Sequence, residues 1–249
     1  MLSEAELSAY REQGFVKVGP IFSSDELALI AREYDRLVTF EGQTLGSEAD
    51  GVYPYRAMLN FRSDALKPFI NHPEVVGRMI DLLGPDVRFW WDQGINKAPG
   101  SGSFIPWHQD NGYQAGRAPE YVTLWLALDD STLENGGLEV IPGSHRDGQR
   151  RHQMQGVHAV VPDVDETRAI ALDVRAGEVV IFSTLLLHRT VGNTTPDRQR
   201  RAWVLQYGRG DAQNEMTGEI YDNRPWVAKG GERVAKPYSE RAFRFRDHV

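Results

Sequence analysis

A chain of 249 residues, 41% hydrophobic and 25% charged, is long enough to bury a sizeable core and has the balance of an ordinary globular protein. Its net charge of −7 at pH 7 opposes the positive field that nucleic-acid or anionic-membrane binding needs. The absence of cysteine excludes disulfides, thiolate metal sites and a cysteine nucleophile together.

The opening "MLSEAELSAY" is acidic and amphipathic and lacks the apolar region of a signal peptide. No run approaches the roughly 18 apolar residues of a membrane span, so a soluble, cytoplasmic protein is expected. Ser3 with Glu6 three residues later reads as a capping box, and Gly14 as the helix stop. "VKV" (16–18) reads as a short strand. Ser23 and Glu26 repeat the device, and Leu27, Ile30, Tyr34, Leu37 and Val38 form one helical stripe. A loop rich in Gly, Ser and aromatics fills 41–56. A further helix is expected over 72–84, with Pro73 in its first turn and Gly84 at its end.

After Gly84 the pattern changes. "VRFWWDQGINKA", "YVTLWLALDD", "GLEVIPGSH", "AIALDV", "EVVIFSTLLLH" and "RRAWVLQYG" are β-branched and aromatic runs separated by turn residues. A barrel or sandwich buttressed by helices follows. No linker or repeat interrupts the chain. One domain over 1–249 is expected, with a helical preface over about 1–84, a β core over about 85–210 and a loop or lid region over 211–249. No patch marks an oligomer interface.

"FIPWHQDNGY" (104–113) raises the question of chemistry. In an extended strand, His108 and Asp110 share one face while Gln109 looks away. Of the seven histidines, His72, His145, His152, His158 and His248 sit at a helix entry, in turns, in a glutamine-rich connection or at the terminus, where non-ligand roles are expected. His188 ends the most apolar strand, at the rim of a core. Two histidines and one carboxylate, with the third ligand far along the chain, make the facial arrangement of non-haem Fe(II). Three adjacent coordination positions stay open for a chelating co-substrate and O2.

"HQD", "ENGGLEVIPGSHR" (134–146), "RAGEVVIFSTLLLHRTVGNTT" (175–195) and "DRQRRAW" (197–203), together with the opening "LSEAELSAYREQGFVKV", resemble the signature blocks of the phytanoyl-CoA dioxygenase-like family over nearly the whole chain. The resemblance implies a mainly β fold, a double-stranded β-helix (jelly-roll, cupin-like), and Fe(II) held by His108, Asp110 and His188. It also implies 2-oxoglutarate as co-substrate, O2 as oxidant and succinate and CO2 as products. In the family an arginine about a dozen residues past the distal histidine holds the distal carboxylate of 2-oxoglutarate, a task suited to its planar fork. Strict counting lands on Gln199, which lacks the charge, because Pro196 lengthens the loop. Arg200 is the best match, and Arg201, on the opposite face of the strand, is the alternative. The same matching implies Thr190 beside that carboxylate, Trp125 as an aromatic wall and Asn96 as a nearby amide. Asp110 disfavours halogenation, which in the family accompanies a missing carboxylate, and hydroxylation is expected.

Trp91, Asp92, Tyr113 and Tyr55 are candidate walls for a small-molecule substrate, and Tyr53, Tyr55 and Arg56 a candidate lid. Two rival readings use the same residues: a cupin-like Zn or Mn hydrolase or isomerase, and a non-catalytic β-barrel binder. Arg200 discriminates, because a hydrolase has no use for a guanidinium behind its metal.

Overall fold

The computed structural model of the chain describes residues 1–40, 43–44, 54–113, 121–213, 217–218 and 224–236. Its helices begin where the sequence predicts. Glu4–Gln13 and Ser24–Tyr34 each carry a complete capping box, on Ser3 with Glu6 and on Ser23 with Glu26. Two backbone N–H groups that the helix itself leaves unpaired are satisfied each time. Gly14 ends the first helix at φ +84°, and a Cβ there would lie 2.5 Å from Nδ1 of His145. Both the conformation and the space demand glycine at that stop. Pro73–Leu83 starts on Pro73 and is capped by Gly84.

The strands form two sheets. Among the described residues the larger has nine strands, and its central order is Phe15–Val18, Val179–Ser183, Tyr121–Ala127, Arg200–Arg209, Val87–Lys97 and Trp226–Lys229. The smaller places Leu138–Val140, His188–Thr190 and Ile105–His108 side by side, antiparallel. Ile95, Trp125, Ala202 and Val204 from the large sheet pack with Ile105, Leu138 and Val140 from the small one as the inner core. The other face of the large sheet presents Leu124, Leu126, Trp203 and Leu205 to Ile30, Tyr34, Val75 and Met79 of the helices. Each fully buried side chain of this kind contributes about 1.5–3 kcal/mol. This is the double-stranded β-helix that the family resemblance implies, with the helical buttress that the sequence pattern predicts. No helix among the described residues is long and apolar enough to cross a membrane.

Two details differ from the sequence reading. "EVVIFSTLLLH" is not one strand. Val179–Ser183 belongs to the large sheet, and His188–Thr190 starts afresh in the small one. The Ser183 carbonyl and hydroxyl accept from the N–H groups of Leu186 and Leu185, at 2.9 and 3.1 Å, and turn the chain between sheets. The apolar run is continuous because the turn itself is buried, so periodicity carried no break. His108 likewise ends its strand, and Asp110 opens the 3-10 turn Asp110–Tyr113.

Candidate metal and co-substrate site

The convergence of His108 and Asp110 therefore comes from a tight turn rather than from strand alternation. His188 pairs with His108 across the small sheet, and their rings lie 4.1 Å apart. Each imidazole is aimed by the carbonyl two residues before it: Nδ1 of His108 is 2.8 Å from the Pro106 carbonyl and Nδ1 of His188 is 2.9 Å from that of Leu186. A carbonyl only accepts, so Nδ1 carries the proton and Nε2 keeps its lone pair. Both Nε2 atoms face Oδ1 of Asp110, at 3.6 and 3.5 Å. The three ligand atoms all lie within 4.8 Å of one another.

The electrostatics suit a cation. Burial alone would raise the Asp110 carboxyl, but hydrogen bonds and charge from His108 and His188, with the Thr123 hydroxyl, hold it at about 2. Burial and the neighbouring His108 press His188 down to about 4, against the pull of Asp110. Two imidazole nitrogens and one carboxylate, buried and convergent, fit a facial Fe(II) donor set.

Supporting groups surround it. Thr123 donates to Oδ2 of Asp110 at 2.6 Å, and Nε2 of Gln206 does so at 3.1 Å. Gln109 looks away, as expected, and every bond it makes is structural. Its Nε2 donates to the carbonyls of Gly148 and Leu185, at 2.9 and 2.7 Å, and its Oε1 accepts from Arg150 N–H at 2.7 Å. One amide thus ties the strand of His108 to the turn that delivers His188.

Strand phase sorts the remaining candidates. Arg200 is fully buried and faces inward beside Ala202 and Val204, its Nε donating to the Gly136 carbonyl at 3.1 Å. Its guanidinium lies 5.8 Å from the Trp125 ring. Trp125 pairs with Val204, four residues further along, so the side chain reaches up the interior towards the triad. Arg201 faces the helices and is tied to Asp129 at 2.6 Å and Asp35 at 2.8 Å. Thr190 accepts from Nζ of Lys97 at 2.8 Å. Lys97 is the register partner of Arg200 and is equally buried. Asn96, one residue before, pairs in register with Arg201 and accepts from Gln199 at 2.7 Å. It lies on the helix side, away from Arg200.

A cavity of about 390 Å³ opens on the triad, and Tyr55, Trp91, Tyr113 and Gln206 line it with His108 and Asp110. The expectation for Asp92 is corrected. It is wholly buried on the helix side, accepting from Trp203 Nε1 at 2.9 Å, from Asn60 N–H at 3.2 Å and from the Asn60 amide. Burial raises it to about 7 against those bonds. Of the expected lid, Tyr53 lies outside the described residues, while Tyr55 and Arg56 lie on the strand Pro54–Ala57.

The sequence reading missed Thr123, Gln206 and Lys97. Thr123 and Gln206 lie in the inward phase of the strands flagged through Trp125 and Arg200, and Lys97 in the phase of Trp91 on its own strand, so counting by two would have found them. It also set aside His158, which lines the cavity. His72 and His145 have structural partners, in Glu26 at 3.2 Å and the Arg11 carbonyl at 3.2 Å.

Comparison with known proteins agrees with this geometry. Residues 10–202 match the family model for phytanoyl-CoA dioxygenase (PhyH). An ectoine dioxygenase from Streptomyces avermitilis is 27% identical over 235 residues, covering 82% of this chain and 78% of that protein. The non-heme alpha ketoglutarate dependent carbocyclase SnoK from nogalamycin biosynthesis superposes with a TM-score of 0.72 at 27% identity, over 86% of each chain. EvdO2 from Micromonospora carbonacea var. aurantiaca, crystallised with 2-oxoglutarate, shares the fold, with a TM-score of 0.73 at 24% identity over 88% of this chain and 95% of that one.

Proposed function

The chain belongs to the phytanoyl-CoA dioxygenase family, and we propose that, as an iron- and 2-oxoglutarate-dependent oxygenase of that family, it hydroxylates a free small molecule and releases succinate and CO2. His108, Asp110 and His188 would hold Fe(II). When bound, the metal supplies the oxygen activation that side chains cannot.

The chain's own residues do the rest. Thr123 and Gln206 fix Oδ2 of Asp110 and leave Oδ1 facing the two imidazoles. Arg200 would anchor the distal carboxylate of 2-oxoglutarate, beside the Thr190 hydroxyl and the Trp125 ring. Aromatic side chains line the cavity beside the triad. Asp110 fills the position that chloride would need, so halogenation is disfavoured. The relative SnoK is named a carbocyclase, and cyclisation would differ from hydroxylation only in the fate of the substrate radical. Product mass separates the two: hydroxylation adds one oxygen, whereas cyclisation or desaturation removes two hydrogens.

One observation carries the reading, the buried, inward guanidinium of Arg200 on the same interior as the triad. A Zn or Mn hydrolase on these ligands has no role for it. The test is an anaerobic titration of apoprotein with Fe(II), then 2-oxoglutarate, following the visible metal-to-ligand charge-transfer band. A band that appears in the wild type and is lost in Arg200→Ala supports the reading. Fe(II) binding without a band would favour the hydrolase or isomerase.

A further inference from the structure

Two carboxamides line the cavity, Gln93 on Val87–Lys97 and Gln206 on Arg200–Arg209. Gln206 stands opposite Trp91 in the register, and Gln93 lies two residues further along that strand, opposite Val204. Val204 belongs to the inner core, so both amides rise from the inward face. They are diagonal neighbours across an antiparallel pair, about 7–8 Å apart at Cα.

A carboxamide has a donor end and an acceptor end of nearly the same shape, and its neighbours decide which faces where. Gln206 lies 3.1 Å from Oδ2 of Asp110, a carboxylate oxygen that only accepts. The Thr123 hydroxyl gives its proton to the same oxygen at 2.6 Å and accepts from Gln206 at 3.3 Å. Both contacts require the NH2 of Gln206, so its Oε1 is the outer end. Gln93 is fixed in the opposite sense. The Trp91 indole only donates and takes Oε1 of Gln93 at 3.0 Å, so the NH2 is the outer end there. Neither outer end meets a hydrogen-bond partner among the described residues, and neither is enclosed, so each keeps accessible surface. Paired strands flank both residues and helices cover the other face of the sheet, so that surface is the cavity's.

The wall thus presents an acceptor beside Asp110 and a donor diagonal to it. A hydroxyl would need both to meet at one oxygen, whereas the edge of a cyclic amide spreads an N–H and a carbonyl over neighbouring atoms in one plane. We propose that Gln206 and Gln93 are specificity-determining residues that recognise a lactam of the substrate. Oε1 of Gln206 accepts from the lactam N–H, and the NH2 of Gln93 donates to its carbonyl. Gln206 also holds Asp110, so the recognised edge is placed beside the triad. This deepens the oxygenase reading of the cavity and rests on it.

The test uses the full chain loaded anaerobically with Fe(II) and 2-oxoglutarate. The probes are 2-pyrrolidinone, 2-piperidone and 2-quinolinone. Each is paired with the lactone that replaces its N–H by oxygen: γ-butyrolactone, δ-valerolactone and coumarin. The readout is the shift of the charge-transfer band. At least one lactam should shift the band with an affinity about tenfold above that of its lactone, the size of one hydrogen bond. Gln206→Met should bring that ratio to about one. The ratio is taken within one variant, so weaker iron binding through Asp110 cancels. Gln93→Met should weaken lactam and lactone alike, about tenfold, and keep the ratio, because both carry the carbonyl. If Gln206→Met holds no iron, the wild-type ratio and Gln93→Met decide alone. No lactam shifting an existing band, or equal binding of lactam and lactone by the wild type, would overturn the inference. So would a ratio that survives Gln206→Met, or Gln93→Met binding both as the wild type does. Failure of the band to form with 2-oxoglutarate alone would overturn the oxygenase reading beneath it.

Discussion

The two faces of the strand pair Val87–Lys97 and Arg200–Arg209 use similar chemistry for opposite ends. On the inner face Arg200 and Lys97 are register partners, both fully buried, beside the Thr190 hydroxyl. On the outer face Arg201 is clamped by Asp35 and Asp129, and Asp92 is enclosed by Asn60 and Trp203. A cation whose carboxylates come from the chain holds the fold. On the inner face the Arg200 guanidinium is instead turned towards the interior, 5.8 Å from the Trp125 ring. One residue of strand phase separates these roles.

Substitutions can break this contrast, beginning with the largest effect. Asp110→Ala removes the carboxylate on which both imidazoles converge. It should abolish hydroxylation and weaken Fe(II) binding, read by product mass and metal titration. Full activity in that variant would remove Asp110 from the iron shell.

The arginine pair gives the most direct comparison. Arg200→Ala should weaken 2-oxoglutarate binding about a hundredfold, equivalent to about 3 kcal/mol for a buried charge pair, with little change in the unfolding midpoint. Arg201→Ala should do the reverse. It should cost about 1–3 kcal/mol in urea unfolding, since its pairs are only partly buried, while leaving the charge-transfer titration intact. The opposite order would place the anchor one residue on.

Asp92 sharpens the outer face through pH. Its folded pKa of about 7 lies above the ordinary carboxylate value of 3.8, so between these the folded protein keeps a proton that the unfolded chain has lost. Stability from this group is therefore fully present below about pH 4 and falls as pH rises through 7. Unfolding midpoints at pH 5 and pH 8 should show that decline in the wild type and a flatter slope in Asp92→Asn. Equal slopes would refute the assignment. The smallest expected effect is Thr123→Val, which deletes one of two hydrogen bonds to Oδ2 of Asp110. It should lower Fe(II) affinity about tenfold, as loss of a ligand's hydrogen-bonded partner does, without altering 2-oxoglutarate specificity.

Where the sequence could be read and where it could not follows from burial. Capping boxes are local, so Ser3, Ser23, Pro73 and Gly84 placed the helices directly. His108, Asp110, His188 and Arg200 could be picked out because their residue types are chemically conspicuous and their blocks resemble a known family. Strand phase was harder. Val87–Lys97 is buried on nearly its whole length, so apolar and polar residues do not alternate and the two faces cannot be told apart by pattern. A register shift near Gln206 and Tyr207 pairs Trp91 and Phe89 with consecutive partners, and Trp90 and Trp91 both reach the cavity. Such a bulge defeats counting by two. Beyond that shift the strand alternates without a break: Trp91 lines the cavity, Asp92 lies on the helix side, Asn96 shares the phase of Asp92 and Lys97 that of Trp91. His158 was discounted because its surroundings in sequence are polar, whereas its surroundings in space are aromatic.

Gln109, between two of the three ligands, has one further consequence. Its amide ties together three segments distant in sequence, and two of them frame the triad. The ligand cage is thereby assembled when the chain folds rather than when an ion arrives. Loading and stripping iron should then be repeatable on a standing scaffold, with no refolding in between.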